Sequence, residues 1–265
     1  MITTSLDPGA VHYEVLDHVA YITIDRPTRR NALSVSALNA LAAFFTEAAE
    51  DADVWAILLR STGDDAFCAG ADLKELDEMA RAGARFPVPM TGTSRNLFEL
   101  ILETCKPVVA ALNGPALAGG AELALACDLR IAADHATFGL PEAKRGMGAN
   151  FASVVLPRMI PRAVAFEMLY TAEPVSAERA ERLGLYNRVV PAAELPAAGE
   201  HLVRSIVGNA PLSLRRYKEM AVKGWELSVH AALRLNAGPN PYLSEDREEG
   251  IRAFVEKRDP AWRGH

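Results

Sequence analysis

The segment Asn113-Gly114-Pro115-Ala116-Leu117-Ala118-Gly119-Gly120-Ala121-Glu122-Leu123 pairs a backbone donor with a carboxylate. An apolar run, 107–112, feeds a glycine-bearing turn, and a helical pattern with a glutamate in its first turn follows. Amide N–H groups at a helix start lack internal acceptors and point at any anion or polarised oxygen placed there. Glycine lets that backbone come close to a ligand. Gly119 and Glu122 lie three apart and so share a helix face. One pocket would then hold an amide able to bind an oxyanion and a carboxylate able to move a proton.

A second turn of the same kind lies upstream, Ala66-Phe67-Cys68-Ala69-Gly70-Ala71-Asp72. Both turns follow apolar strands and precede helices. On neighbouring strands they would present one amide each, from Ala71 and Gly119, to a single carbonyl oxygen. Such a backbone oxyanion hole stabilises the enolate that forms when a thioester is attacked at its β-carbon. Losing one donor of this kind typically costs about 3–4 kcal/mol of transition-state stabilisation. Taken singly, either glycine turn reads equally as a tight strand-to-helix connection, and Glu122 as a glutamate favoured by the positive end of a helix.

These two turns resemble those of the crotonase (enoyl-CoA hydratase) superfamily. So do Arg26-Pro27, Asn31-Ala32-Leu33, Phe138-Gly139-Leu140-Pro141-Glu142, Gly184-Leu185 with Asn187-Arg188-Val189-Val190, and Phe254-Val255-Glu256-Lys257-Arg258. The similarity runs from about residue 11 to 262. It implies an α/β fold, a spiral of repeated ββα units over 1–195, with a helical C-terminal region, 196–265, used in forming a trimer or a hexamer (a dimer of trimers). It implies acyl-CoA substrates, with coenzyme A entering as part of the substrate and no other cofactor.

Enoyl-CoA hydratases of that superfamily carry two glutamates, and this chain has one at each matching position, Glu122 and Glu142. Hydration explains the pair. Water must lose a proton as it attacks the β-carbon, and the α-carbon must gain one. Two carboxylates beside one water repel, so one of them stays protonated at neutral pH. Glu122 is assigned as the base and Glu142 as the acid; the roles exchange in dehydration, and the reverse assignment stays open. The resemblance therefore implies an enoyl-CoA hydratase. Isomerisation, dehydration of a substituted acyl-CoA, thioester hydrolysis and non-catalytic acyl-CoA binding are the other readings of the same frame.

One segment departs from the family pattern. After Glu142 the hydratases show a proline and a glycine cluster; here the residues are Gly146-Met147-Gly148-Ala149-Asn150-Phe151-Ala152-Ser153. Gly146 matches, Asn150 offers polar contacts and Phe151 adds bulk. Further candidate substrate contacts are Ala69, Asp72 and Gly120 on the two turns, and Arg26, Arg29, Arg30 and Lys74 toward coenzyme A phosphates. Lys257 and Arg258 are placed to reach a neighbouring subunit's ligand, with a solvated charged face as the alternative for each of these cations. Met79, Phe86, Met90, Leu97 and Phe98 are candidates for an acyl pocket, with plain core as the alternative. Cys68 reads as a small core residue.

The elements that must position these groups follow from periodicity. Residues 11–25 read as two strands, 55–60 as a buried strand, and 35–50 as a helix capped by Ser34. A short helix is expected over 74–82, a loop over 83–90 and a helix over 94–104. Short strands are expected at 129–132 and 137–138, and an irregular stretch over 141–153. The last third reads as helices over 162–169, 176–183, 194–209, 212–235 and 245–257, interrupted by a strand at 186–190. Strands alternating with helices argue for α/β layering.

Composition narrows the setting. The 265 residues carry a net charge of −6, which gives no field for gathering nucleic acid. No run approaches the roughly 18 apolar residues of a membrane span. Three cysteines and six scattered histidines show no metal-ligand spacing. The odd cysteine count and the absence of a leader-like start point to the cytoplasm. No Gly-x-Ser-x-Gly elbow is present, which disfavours a serine hydrolase.

Overall fold

The computed structural model describes residues 9–84 and 95–265. β1 (Val11–Leu16) and β2 (Val19–Ile24) form an antiparallel hairpin. The Ser34 hydroxyl accepts from the Ala37 amide and starts α1 (Val35–Glu50). β3 (Ala56–Ser61), α2 (Leu73–Arg81), α3 (Leu97–Glu103), β4 (Val108–Leu112), β5 (Ala116–Leu117) and α4 (Gly119–Ala126) follow. Next come β6 (Leu129–Ala133), β7 (Thr137–Gly139), a 3-10 turn (Pro141–Arg145) and α5 (Asn150–Met159). α6 (Arg162–Thr171), β8 (Val175–Ser176), α7 (Ala177–Arg182), β9 (Arg188–Val190) and α8 (Leu195–Val207) complete the layered part. The chain ends in α9 (Pro211–Gly224), α10 (Val229–Ala232) and α11 (Glu245–Glu256).

The larger sheet has the order β1-β2-β3-β4-β6-β9, parallel throughout except for the first hairpin. The smaller has the order β5-β7-β8. Isolated parallel bridges, Leu33 with Ala71 and Cys68 with Ala116, carry pairing of the same kind toward the earlier turns. Each turn of the chain thus places one strand in the large sheet, a short strand or bridge beside it, and then a helix. β4-β5-α4 and β6-β7-α5 show this ββα unit in full.

Strand alternation sends side chains to two cores. From β2, Ala20, Ile22 and Ile24 enter the core shared with α1, α4 and α5, while Val19 and Tyr21 enter a smaller core under α8. Leu195 and Val203 of α8 are buried in that second core. A boundary at 195/196 therefore separates α8 from a sheet it packs against. The later helices are tied in by Lys218 of α9, whose Nζ donates to Asp128 Oδ2 at 2.7 Å and to the Lys106 carbonyl at 3.0 Å.

Three expectations are corrected. The stretch over 141–153 is not irregular to its end: residues 150–153 open the helix α5, although Pro157 lies inside it and no side-chain cap is made at Ala149. The helix expected over 212–235 is broken: α9 ends at Gly224, and Ser228 restarts α10 by accepting from the Ala231 amide. The two- and three-residue strands of the second sheet were legible only in part. Residues 85–94 of the expected 83–90 loop and 94–104 helix lie outside the described residues.

Candidate active site

The two glycine turns interlock through backbone. Leu117 N donates to Cys68 O at 3.0 Å, Leu33 N to Gly70 O at 2.8 Å, and Asp72 N to Leu33 O at 3.0 Å. Gly70 O and Asp72 N thus both face Leu33, which turns the intervening Ala71 N–H to the opposite side. That amide has no acceptor among the described residues. It lies 3.9 Å from where a Cβ on Gly119 would stand. Gly119 is the first residue of α4, so its N–H has no intrahelical acceptor. The two amides are neighbours on one wall.

Glycine is demanded here by contact. A Cβ on Gly120 would lie 2.1 Å from Cys68 O, and one on Gly70, at φ +87°, would lie 2.7 Å from the Ala118 Cβ. Ala118 itself, an L-residue, sits at φ +51° and ψ −128°. Strain of this kind costs about 1–3 kcal/mol and persists where the surroundings impose it. Ala118 N donates to Gly139 O at 2.9 Å, and the Ala118 carbonyl accepts from Ala121 N and Glu122 N. These bonds set the direction in which the Gly119 amide points.

Ala71, Gly119, Glu122 and Glu142 line one cavity of about 910 Å³. Glu122 projects from α4 and Glu142 from the 3-10 turn, and both are buried, at 6% and 5% exposure. Glu122 Oε1 accepts from Ala152 N, the third residue of α5, at 2.9 Å. The unexpected helix therefore aims its positive end at this carboxylate. Burial pushes the Glu122 carboxyl up to about 7; the Ala152 amide opposes the rise and the charge of Glu142 adds to it. Burial also raises Glu142, against its own backbone amide and the charge of Arg145. Glu142 Oε2 is buried with no hydrogen-bond partner. A carboxyl so placed holds its proton more firmly than one in water.

Of the remaining candidates, Arg30, Ala69 and Asn150 line the same cavity. Arg26, Asp72, Lys74, Gly120 and Gly146 do not. Arg26 Nη2 binds Asp72 Oδ2 at 3.1 Å, and Arg29 Nη2 binds Asp72 Oδ1 at 3.0 Å. Asp72 also caps α2 by accepting from Glu75 N. Burial would raise the Asp72 carboxyl, but the Glu75 amide and the two guanidiniums outweigh it and hold the carboxyl below its usual range. Arg26 and Asp72 thus fasten the first turn. Lys74 is exposed on α2, Gly120 is buried against Cys68, and Gly146, at φ +66°, ends the 3-10 turn. Lys257 and Arg258 also lie off the cavity, with Arg258 bound to Glu249 at 2.6 Å. Leu97 and Phe98 line it and Met79 does not; Phe86 and Met90 lie outside the described residues.

Other lining residues had a weaker signal. Leu38 and Ala42 of α1 line the cavity, while Leu41 and Phe45 enter the core. An apolar stripe wider than one contact requires was the available sign. Arg145 also lines the cavity, and nothing in its spacing marked it. Phe151 lies 5.6 Å from Phe98, ring centre to ring centre.

The family model described as enoyl-CoA hydratase/isomerase matches residues 14–265. A short-chain-enoyl-CoA hydratase of Clostridium acetobutylicum is 36% identical over 244 residues, 91% of this chain and 92% of that one. A carnitinyl-CoA dehydratase of Salmonella arizonae is 39% identical over 252 residues, 92% and 94% of the two chains. The crystal structure of an enoyl-CoA hydratase from Bacillus anthracis superposes with a TM-score of 0.88 at 34% identity, covering 97% of this chain and 100% of that one.

Proposed function

The chain belongs to the enoyl-CoA hydratase/isomerase family, and from that premise we propose that it adds water reversibly across a 2-enoyl-CoA to give a 3-hydroxyacyl-CoA. The supporting observation is the convergence of Ala71, Gly119, Glu122 and Glu142 on one cavity. The thioester oxygen accepts from the Ala71 and Gly119 amides. Glu122, ionised, takes a proton from water while the hydroxyl oxygen bonds to the β-carbon. The π electrons move through the α-carbon into the thioester, whose enolate oxygen the two amides stabilise. Glu142, neutral, then delivers its proton to the α-carbon, and proton return from Glu122 to Glu142 resets the site. Coenzyme A takes part only as the substrate's carrier.

Two buried carboxylates favour this reading over isomerisation, which moves one proton between two carbons of the same substrate. Dehydration uses the same groups in reverse, and a relative carries that reaction in its name. Three unpaired thiols suit a reducing cytoplasm. No helix among the described residues is long and apolar enough to cross a membrane.

The test is turnover of a series of 2-enoyl-CoA thioesters, followed by loss of the conjugated thioester absorbance, with the 3-hydroxyacyl product identified. Glu122→Gln and Glu142→Gln are each expected to lose about 10²–10⁴-fold in kcat while still binding saturated acyl-CoA. Wild-type protein that binds acyl-CoA but hydrates no chain length would end the hydratase reading.

A further inference from the structure

The motif Asn31-Ala32-Leu33 stands beside the first glycine turn without a part in the chemistry above. Asn31 is 1% exposed and does not line the cavity, so it makes no contact with a substrate there. Its carboxamide is engaged elsewhere. Nδ2 donates to the Thr62 carbonyl at 2.9 Å and to the Ala66 carbonyl at 2.8 Å, and Oδ1 accepts from the Arg26 amide at 2.9 Å. One side chain thereby ties the 26–31 segment to both ends of the 62–66 loop. A carboxamide suits this place because it offers two donors and an acceptor in one plane.

These bonds brace the neighbour of the Ala71 amide. Residues 66–72 run between two supports. On the side of the second turn, Phe67 N donates to the Pro115 carbonyl at 3.1 Å and the Cys68 carbonyl accepts from Leu117 N at 3.0 Å. On the side of the 30–33 segment, Ala69 N donates to the Arg30 carbonyl at 3.1 Å, the Gly70 carbonyl accepts from Leu33 N at 2.8 Å, and Asp72 N donates to the Leu33 carbonyl at 3.0 Å. The direction of the Ala71 N–H therefore follows the 30–33 segment. That segment is a corner and not a strand. Arg30 and Asn31 both lie at φ +53°, a left-handed pair in which asparagine is the better-suited residue. The pairing with the first turn is a single bridge, Leu33 with Ala71, with no ladder on either side to hold its register. The brace on the corner has to supply what a ladder would.

We propose that Asn31 is a positioning residue for the oxyanion hole, its carboxamide fixing the corner that sets the direction of the Ala71 N–H. This rests on the thioester reading above and names a residue that serves it without contacting the substrate. Removing the carboxamide leaves the Ala71 donor in the chain and frees its direction, while the Gly119 donor, set from Gly139 and the start of α4, stays. Misalignment of one donor weakens the hold on the enolate more than the hold on the ground-state thioester. An asparagine with a purely structural role would lower stability and leave the carbonyl contact of the folded site intact.

Asn31→Gly separates the two roles. Glycine accepts the left-handed conformation, so the variant loses the three side-chain bonds without a strained backbone. The probe is hexanoyl-CoA isotopically labelled at the thioester carbonyl carbon, a saturated and unreactive ligand. Isotope-edited infrared difference spectra at saturation should show the wild-type carbonyl stretch at lower wavenumber than in water. In Asn31→Gly the stretch should return toward its position in water. The kcat for a 2-enoyl-CoA should fall about 10²-fold, with a much smaller change in the dissociation constant of hexanoyl-CoA. Asn31→Ser keeps one hydroxyl donor, serves if Asn31→Gly fails to fold, and should lie between the two on both measures. A folded variant of either kind with the wild-type carbonyl frequency would overturn the positioning role, whatever its melting temperature or kcat. Wild-type protein that binds hexanoyl-CoA with no shift of the stretch would overturn it together with the oxyanion hole. Failure of the wild type to bind hexanoyl-CoA would remove the acyl-CoA reading as well.

Discussion

At Glu122 a stabilising bond and an electrostatic cost fall on one side chain. Its carboxylate accepts from the start of α5, yet burial lifts its pKa to about 7 from 4.5. At about 1.4 kcal/mol per pH unit, that rise amounts to ~3 kcal/mol. The sign follows from linkage: a carboxyl raised on folding contributes its stability below the unfolded value and loses it as pH climbs through the folded one. Glu122→Gln removes the titrating group, so its melting temperature should gain on wild type between about pH 4.5 and pH 8. A constant difference across that range would contradict the burial argument. In turnover, the rising limb of kcat/KM should fall near pH 7, with the pair titrating together. Glu122 was legible in the sequence because its helix start, glycine turn and family position agree. Its partner at Ala152 was not, since a backbone amide leaves no trace in residue identity. Arg26 and Asp72 looked like ligand contacts because charge near a glycine turn suggests one; in space they satisfy each other.

The geometry of the α4 start sets opposite expectations for adjacent positions. Within a helix, glycine to alanine ordinarily gains about 0.5–1 kcal/mol. At Gly120 the added Cβ would meet the Cys68 carbonyl at 2.1 Å, so Gly120→Ala should instead lose about 1–3 kcal/mol and displace the Gly119 amide, lowering kcat. Ala118→Gly should go the other way, releasing strain at φ +51° and raising stability by about 1 kcal/mol. Denaturant midpoints of the two variants measure both. The far end of α4 is held by buried Arg130, whose Nη1 donates to Cys127 O at 2.6 Å and to Ala124 O at 3.1 Å. A cation there complements the helix dipole that the other end presents to the cavity. Local periodicity made α1 and the long strands readable: Ser34 capped where expected, and α1 ran over the expected 35–50. It failed at α5, where Pro157 argues against a helix and Ala149 offers no cap, because the stabilising contacts of α5 come from the core around Phe151 and Leu156.

At the scale of the molecule, the exposed large apolar side chains among the described residues are concentrated in the last helices. Ile251, Phe254 and Val255 of α11 are 55%, 84% and 73% exposed, and Val229 and Leu233 at α10 are 73% and 70% exposed. Apolar patches of this kind mark association surfaces. We propose that they join copies of the chain into the trimer or hexamer that the resemblance implies. Light scattering should give a mass of three or six chains for wild type, and Phe254→Asp should shift it toward one. A wild-type monomer would remove the proposal. The C-terminal region was legible as helical, but α8 was not legible as part of the layered core, since only its packing on Val109 and Ile131 reveals that. The hydrogen bond from Leu117 N to Cys68 O, which ties the 68–72 turn to the 117–119 turn, also bears on protein engineering. A chimaera that imports one of these loops from a relative without the other would inherit mismatched spacing between its two donors. The pair is best exchanged as a single cassette, and reaction specificity is then open to redesign from the 145–151 side alone.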